Sequence, residues 1–245
     1  MTILLTNDDG VFSEGLNTLA DALSKENKVV VVAPDGNRSA SSHSLTIHKE
    51  LVFKKEKISE SYESFSLSGT PADCVKFAVH YFSDIKFDLV IAGINAGDNL
   101  GSNTLYSGTV AGAIEGNYFD IPSVAFSCAS HKVFRFKENA ECALSLLGKL
   151  KPILSGKKTF SVNFPELAKE QIKGVRFAPL GYMSYGDFYH RNDNGTYSLM
   201  GDPIYTYEGE SDIALSARGY ITITPILFDR TDYSALIDLS EGFSL

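Results

Sequence analysis

Asn7-Asp8-Asp9-Gly10 sets two carboxylates back to back directly after the apolar run from Thr2 to Thr6. Open parallel α/β sheets bind their ligands beyond the carboxyl ends of the strands, so acidic residues here stand where chemistry is done. Two carboxylates this close repel unless a cation or a proton neutralises them. A divalent metal with hard oxygen ligands is the simplest answer. Successive side chains on a strand point to opposite faces, so one ion can take both Asp8 and Asp9 only if the chain turns between them. Gly10 helps with that turn. The plainer alternative is an Asx-type turn that merely starts a helix, with Ser13 as its N-cap.

Three further loops offer similar chemistry at strand ends or helix starts: Asn37, Ser39 and Ser41; Asn95, Asp98 and Asn99; and Ser107, Gly108 and Thr109. All are oxygen donors or small residues that expose backbone amides. No histidine-plus-cysteine set accompanies them, which favours magnesium or manganese over zinc. About one βαβ unit separates Asp9 from Ser39, so their loops can sit on neighbouring strands. Each element also has a plainer reading. Ser39 can be one serine of a solvated loop, Asn95 can occupy a left-handed turn, and Ser107-Gly108-Thr109 can be only a helix cap. His43 reads as a loop residue hydrogen-bonded locally, and His48, His80, His131 and His190 lack ligand spacing. The phosphate loop G-x-x-x-x-G-K-[ST], the dinucleotide fingerprint G-x-G-x-x-G and the hydrolase elbow G-x-S-x-G are all absent.

The elements that must position these residues alternate between strand and helix. Ile3 to Leu5, Lys28 to Ala33, Phe87 to Ala92 and Pro122 to Phe126 have the apolar character of buried parallel strands. Ile47 to Lys54 and Tyr62 to Leu67 read as two exposed, paired strands. Thr70 as N-cap and Pro71 at the first helical position open one helix, Ser107-Gly108-Thr109 another that reaches Gly116, and Asn139 to Leu150 forms a third. A glycine-rich loop is expected from Gly93 to Gly101. This rhythm predicts a Rossmann-like, doubly wound, mostly parallel sheet. Six of the 12 tyrosines lie between Tyr182 and Tyr207, around the turn signal Asn192-Asp193-Asn194-Gly195. That pattern predicts a projecting β-hairpin serving assembly. The alternative is a hairpin folded back on its own domain. Ser211 to Arg218, ended by Gly219, reads as a short helix, and Tyr220 to Leu227 as a strand. The expected organisation is a single domain over 1–245: an α/β core to 180, a hairpin from 181 to 210, then a helix, strand and tail.

Composition sets the outer bounds. With 22 basic and 30 acidic residues the chain carries a net charge of −8, which argues against an extended nucleic-acid-binding face. Cys74, Cys128 and Cys142 lack zinc-ligand spacing and read as small apolar residues in a reducing compartment. No secretory signal and no membrane-length apolar stretch is visible, so a cytoplasmic location is expected.

T-N-D-D-G at 6–10, A-P-D-G-N-R-S-A at 33–40, S-G-T-P-A-D-C-V at 68–75 and G-I-N-A-G-D-N-L-G at 93–101 resemble SurE, the stationary-phase survival protein family of nucleotidases. Y-S-G-T-V-A-G-A-I-E-G at 106–116, V-N-F-P at 162–165 and G-Y-I-T-I-T-P at 219–225 extend the likeness almost to the end. The resemblance implies one divalent cation on Asp8, Asp9, Ser39 and Asn95, and phosphate contacts from Ser107, Gly108 and Thr109. It further implies hydrolysis of nucleoside 5′- and 3′-monophosphates, with short polyphosphate as a second substrate, by a homodimer or homotetramer. The expected function is therefore a metal-dependent phosphomonoesterase. Asp8 is a candidate for assisting the incoming water. Asn95 is a candidate for giving the metal its carbonyl oxygen while its NH₂ group donates to phosphate, and Ser39 is a further candidate for the phosphate contacts. Two alternatives are a non-catalytic nucleotide- or metal-binding module and an aspartyl-phosphate phosphatase with Asp8 as nucleophile.

Overall fold

Ile3 and Leu5 pack into one apolar cluster and Leu4 into another, so β1 (Thr2–Thr6) is buried on both faces. The computed structural model describes residues 1–129, 133–156 and 158–240; His131 and the end of the tail lie outside them. After β1 follow α1 (Glu14–Leu23), β2 (Lys28–Pro34), β3 (Phe53–Glu56), β4 (Glu63–Leu67), α2 (Pro71–Tyr81) and β5 (Leu89–Ala96). Then come α3 (Gly108–Tyr118), β6 (Ser123–Cys128), α4 (Phe136–Leu150), β7 (Thr159–Phe164) and β8 (Val175–Phe177). Four short strands build the hairpin: β9 (Met183–Tyr185), β10 (Phe188–Arg191), β11 (Tyr197–Met200) and β12 (Pro203–Tyr205). The chain continues through α5 (Asp212–Ala217), β13 (Ile221–Ile226) and α6 (Tyr233–Ser240).

Nine strands form one sheet in the order β3-β4-β2-β1-β5-β6-β7-β13-β8. Its central strands are parallel, while β3 and β13 run antiparallel to β4 and β7. The fold is the α/β, mostly parallel, doubly wound architecture that the alternating pattern predicts. β4 corrects the expectation of an exposed strand pair: it lies parallel to β2 and is buried, and Ile47 to Val52 stays outside β3. The cause is α2, whose Phe77 and Tyr81 join Phe53, Phe65 and Phe82 in one aromatic cluster over this edge.

Helices α1 and α4 share one face of the sheet, and α2 and α3 the other. β1 leads to β2 through α1, and β5 leads away to β6 through α3 on the opposite face. The order therefore reverses between β1 and β5, the kind of crevice where such sheets bind ligands. From β5 to β6 and from β6 to β7 the chain steps the same way, yet α3 and α4 cover opposite faces. Those two crossovers must have opposite hands. The connections through α1 and α2 share the hand of α3, so the rule that ~98% of such units are right-handed makes β6-α4-β7 the exception.

Candidate active site

Asn7 builds the turn that ends β1. Its Oδ1 accepts from the Gly10 amide at 3.2 Å, and its Nδ2 donates to the Gly10 carbonyl at 3.2 Å and to Ser13 Oγ at 2.6 Å. Ser13 stands at the N-cap of α1, but its hydroxyl serves Asn7 and caps no helix amide. The Asx turn and the acidic pair are thus one object. Gly10 completes it at φ +104°, a conformation that disfavours side chains. A Cβ there would also stand 3.1 Å from the Gly36 backbone.

Asp8 is buried, and Asp9 is half-buried. Burial pushes the Asp8 carboxyl up to about 6, against the stabilising hydroxyl of Thr109 and with the adjacent Asp9 charge adding to the rise. Burial also raises the Asp9 carboxyl, opposed by the Ala96 amide that donates to Asp9 Oδ2 at 3.1 Å. The pair is short of positive charge.

The next strand-end loop docks directly onto this turn, because the Arg38 amide donates to the Asp8 carbonyl at 2.7 Å. Ser39 follows, exposed, with its amide and hydroxyl both donating to Asn37 Oδ1 at 2.7 and 2.6 Å. Ala40 and Ser42 take positive φ values of 57° and 51°, which side chains adopt only when their surroundings hold them there. Several contacts do so. The Ser42 amide donates to the Tyr106 carbonyl at 3.0 Å, and Thr70 Oγ1 donates to the Ser44 carbonyl at 2.7 Å. Asp73, which also completes the capping box of α2, accepts from the Thr46 amide and hydroxyl.

Ser107 caps α3: its Oγ accepts from the Val110 amide at 3.0 Å. Thr109 points its hydroxyl at Asp8 and donates to Oδ1. Both side chains are therefore engaged, which leaves backbone amides as the groups of this turn able to meet an anion. Gly108 lets the helix come close. A Cβ on it would meet Ser41 Oγ at 2.6 Å, Asp8 Cβ at 2.9 Å and Asp8 Oδ2 at 3.1 Å. Ser41 Oγ is buried here without a hydrogen-bond partner among the described residues.

Asn95 belongs to β5, not to a glycine-rich loop. The strand continues to Ala96, with Asn95 in register with Ser127 after an irregularity past Ala92. A cis peptide joins Gly93 to Ile94. Pairing with β6 overrides the local glycine signal. Asn95 Nδ2 donates to the Gly97 carbonyl at 3.0 Å, so one amide proton is committed within the chain. The Asp9 carboxylate is bonded to Ala96, the neighbour of Asn95, and the Asp8 carbonyl to Arg38, the neighbour of Ser39, so the three loops adjoin. Asn99 lies deeper, its Nδ2 donating to Ser127 Oγ and its backbone amide to Asn163 Oδ1.

One buried group carries no signal in the sequence. Glu115 of α3 receives His43 Nε2 at 2.8 Å and Lys76 Nζ at 3.3 Å. Burial opposes its charge, but the contacts from His43 and Lys76 outweigh that and hold the carboxyl below its ordinary value. His43 is thus bonded 72 residues away and not locally as its setting suggested; the contact ties the Ser39 loop to α3. Among the described residues no group of three or more His, Cys, Asp or Glu assembles, and the crevice offers two carboxylates beside hydroxyl and amide oxygens.

An open α/β sheet whose polar groups converge at its switch point, beside a helix N-terminus, defines a Rossmann-like protein with an acidic crevice. Residues 3–187 match the family described as Survival protein SurE. A "5'-nucleotidase SurE" of Clostridium botulinum is 38% identical over 250 residues, covering 99% of each chain. One of the same name from Kosmotoga olearia is 37% identical, covering 98% of each. The crystal structure of SurE from Aquifex aeolicus superposes with a TM-score of 0.85 at 35% identity, over 98% of this chain and 99% of that one. The chain belongs to the SurE family.

Proposed function

We propose that this chain is a divalent-metal-dependent 5′-nucleotidase, a phosphomonoesterase that releases phosphate from nucleoside 5′- and 3′-monophosphates. Short polyphosphate is the further substrate of this reading. The observation that carries it is the Asp8–Asp9 pair, buried enough to raise both carboxyls, with Asp8 against the first turn of α3. Such a pair suits a hard divalent cation, magnesium or manganese, with Ser39 and Asn95 supplying neutral oxygens. When bound, the cation would offset the carboxylate charge and polarise the phosphoryl oxygens. The Gly108 and Thr109 amides would hold phosphate oxygens at the helix N-terminus. The Thr109 hydroxyl fixes the Asp8 carboxylate, leaving Oδ2 toward Gly108 and the entering water. The second Asn95 amide proton is left for a phosphate oxygen.

Names borne by full-length relatives support the nucleotidase reading. Steady-state turnover of AMP, 3′-AMP and tripolyphosphate, with magnesium or manganese and with excess EDTA, tests it. Activity lost in EDTA and in a folded Asp9→Ala protein is expected. Undiminished turnover in either case refutes the metal reading, and a trapped aspartyl phosphate would move the chemistry to Asp8 as nucleophile. The reading also takes the protein as a cytoplasmic homodimer or homotetramer. Among the described residues, no helix is long and apolar enough to cross a membrane.

A further inference from the structure

A second cavity opens where three parallel strands end side by side. It holds about 330 Å³, in the range of small-molecule sites, and is lined by Asp98, Leu100, Pro165, Glu166, Tyr205 and Tyr207 among others. Asp98 follows β5, Ala129 follows β6 and Pro165 follows β7, so the cavity lies beyond their carboxyl ends, on the same edge as Asp8 and Asp9. Asp98 stands three residues after Asn95, a reach of at most about 10 Å along the chain. The intervening turn is fixed, because Gly97 accepts from the Asn95 side chain and donates from its amide to the Cys128 carbonyl at 3.1 Å.

The walls are held as firmly. Asp212 Oδ2 accepts from the Gly101 amide at 2.8 Å and Oδ1 from the Gly181 amide at 2.7 Å, tying the loop beyond Asp98 to α5. Tyr205 packs on the small cluster of Leu100, Met183 and Ile213. Tyr207 lies beside it, ring centroids 5.7 Å apart, and is itself 56% exposed. The cavity therefore joins a fixed apolar floor to an available aromatic face, with carboxylates at its polar margin.

We propose that this cavity is the base subsite: it receives the nucleobase of a substrate whose phosphate lies at Asp8, Asp9 and the α3 N-terminus. The assignment rests on the phosphomonoesterase reading for the phosphate end only. Aromatic rings and a proline accept the flat face of any base, and carboxylates accept its N–H donors. The same carboxylates repel an anionic extension, so a phosphate chain is the wrong occupant. The subsite favours a neutral base on a monophosphate, which leaves short polyphosphate, unable to use it, the poorer of the two proposed substrates.

Ribose 5-phosphate provides the test, since it keeps the sugar and phosphate of AMP and lacks the base. Wild-type protein should prefer AMP. Tyr207→Ala should lower kcat/KM for AMP by roughly five- to 150-fold, the range of one base–aromatic stack, and leave ribose 5-phosphate within twofold. Tyr207→Phe keeps the ring and should stay near wild type on both. The pair Asp98→Asn with Glu166→Gln should raise tripolyphosphate turnover relative to AMP. Equal loss on AMP and ribose 5-phosphate, or no loss on AMP, overturns the assignment. If wild-type protein cleaves none of these esters, the phosphomonoesterase reading fails by itself. Calorimetry with adenosine then decides the cavity separately: binding that Tyr207→Ala weakens and Tyr207→Phe keeps supports it, and no binding by wild type overturns it.

Discussion

The crevice at β1 and the hairpin from β9 to β12 use polar side chains in opposite ways. In the crevice, polar groups from distant parts of the chain hold one another: Thr109 donates to Asp8, the Ala96 amide to Asp9 and His43 to Glu115. In the outer hairpin the bonds are local, with Asn192 serving Thr196 and Ser198, and β10 and β11 are exposed throughout. Tyr189, Tyr197 and Leu199 stay solvent-facing, each more than half exposed. The crevice is made by the tertiary fold, its polar groups bonded across distant parts of the chain. The hairpin is a ribbon closed by its own turn, and its apolar surface is left over for another use.

The strongest way to break the crevice is to fill it. Gly108→Ala adds a methyl where Ser41 and Asp8 already stand within 3 Å, and backbone shifts of that order misplace reacting groups. A fall of about a hundredfold in kcat/KM for AMP is expected, with the fold retained by circular dichroism. Wild-type kinetics would show that the close approach is idle.

Removing the Asp8 charge should help the metal-free protein. Its carboxyl lies at about 6 when folded against 3.8 as the ordinary value, so the folded state holds this proton more tightly than the unfolded state does. Its contribution to stability is full below pH 4 and is lost as pH rises through 6, a change of about 3 kcal/mol. Asp8→Asn should therefore melt higher than wild type at pH 7 in EDTA, with the gap closing toward pH 4. Melting curves of both proteins across that window check it, and a gap independent of pH would sink it.

Thr109→Val keeps the shape and removes the donor to Asp8. A hydrogen bond to a charged group contributes about 1.5–3 kcal/mol, so kcat/KM should fall by about one to two decades. The sharper sign is a shift of the pH profile toward higher pH, since the hydroxyl holds the carboxylate form. A smaller effect is expected from His43→Ala. Glu115 keeps Lys76, and the loss is about 1 kcal/mol, read as a lower melting temperature and a weaker KM. His43→Asn, which restores a donor, should recover part of it.

The hairpin should answer differently to the same treatment. Joining Gly186 to Asp202 by Asn-Gly keeps the β9–β12 stem and removes the exposed ribbon. The melting temperature should hold within a few degrees, while sedimentation shows a smaller species than wild type. An unchanged assembly, or a monomeric wild type, would mean the tyrosines serve something else.

Much of the chemistry that sits within one turn of the chain was legible, although Ser13, expected to cap α1, serves Asn7 instead. Asn7-Asp8-Asp9-Gly10, the capping box of Thr70 and Asp73, the Ser107 cap and the Asn-Gly turn of the hairpin all form from contacts a few residues apart. What hid was every contact that needs the sheet. Thr109, expected as a phosphate contact, turns its hydroxyl to Asp8 across 101 residues, a partner no local pattern announced. Asn95 looked like a loop residue until strand pairing with β6 placed it. Gly108 read as a helix start, and only the packed structure shows what its missing side chain makes room for.

The sequence by itself determined the alternation of elements, the acidic pair and its turn, because period, capping and turn chemistry are properties of neighbours along the chain. Tertiary structure decided which loops meet, that β4 enters the sheet beside β2, and that the crossover through α4 takes the rarer hand. It also decided that Glu115 is paired twice inside the protein. Those outcomes depend on which apolar faces can be buried together. That is a property of all the strands and helices at once, and no window of sequence contains it.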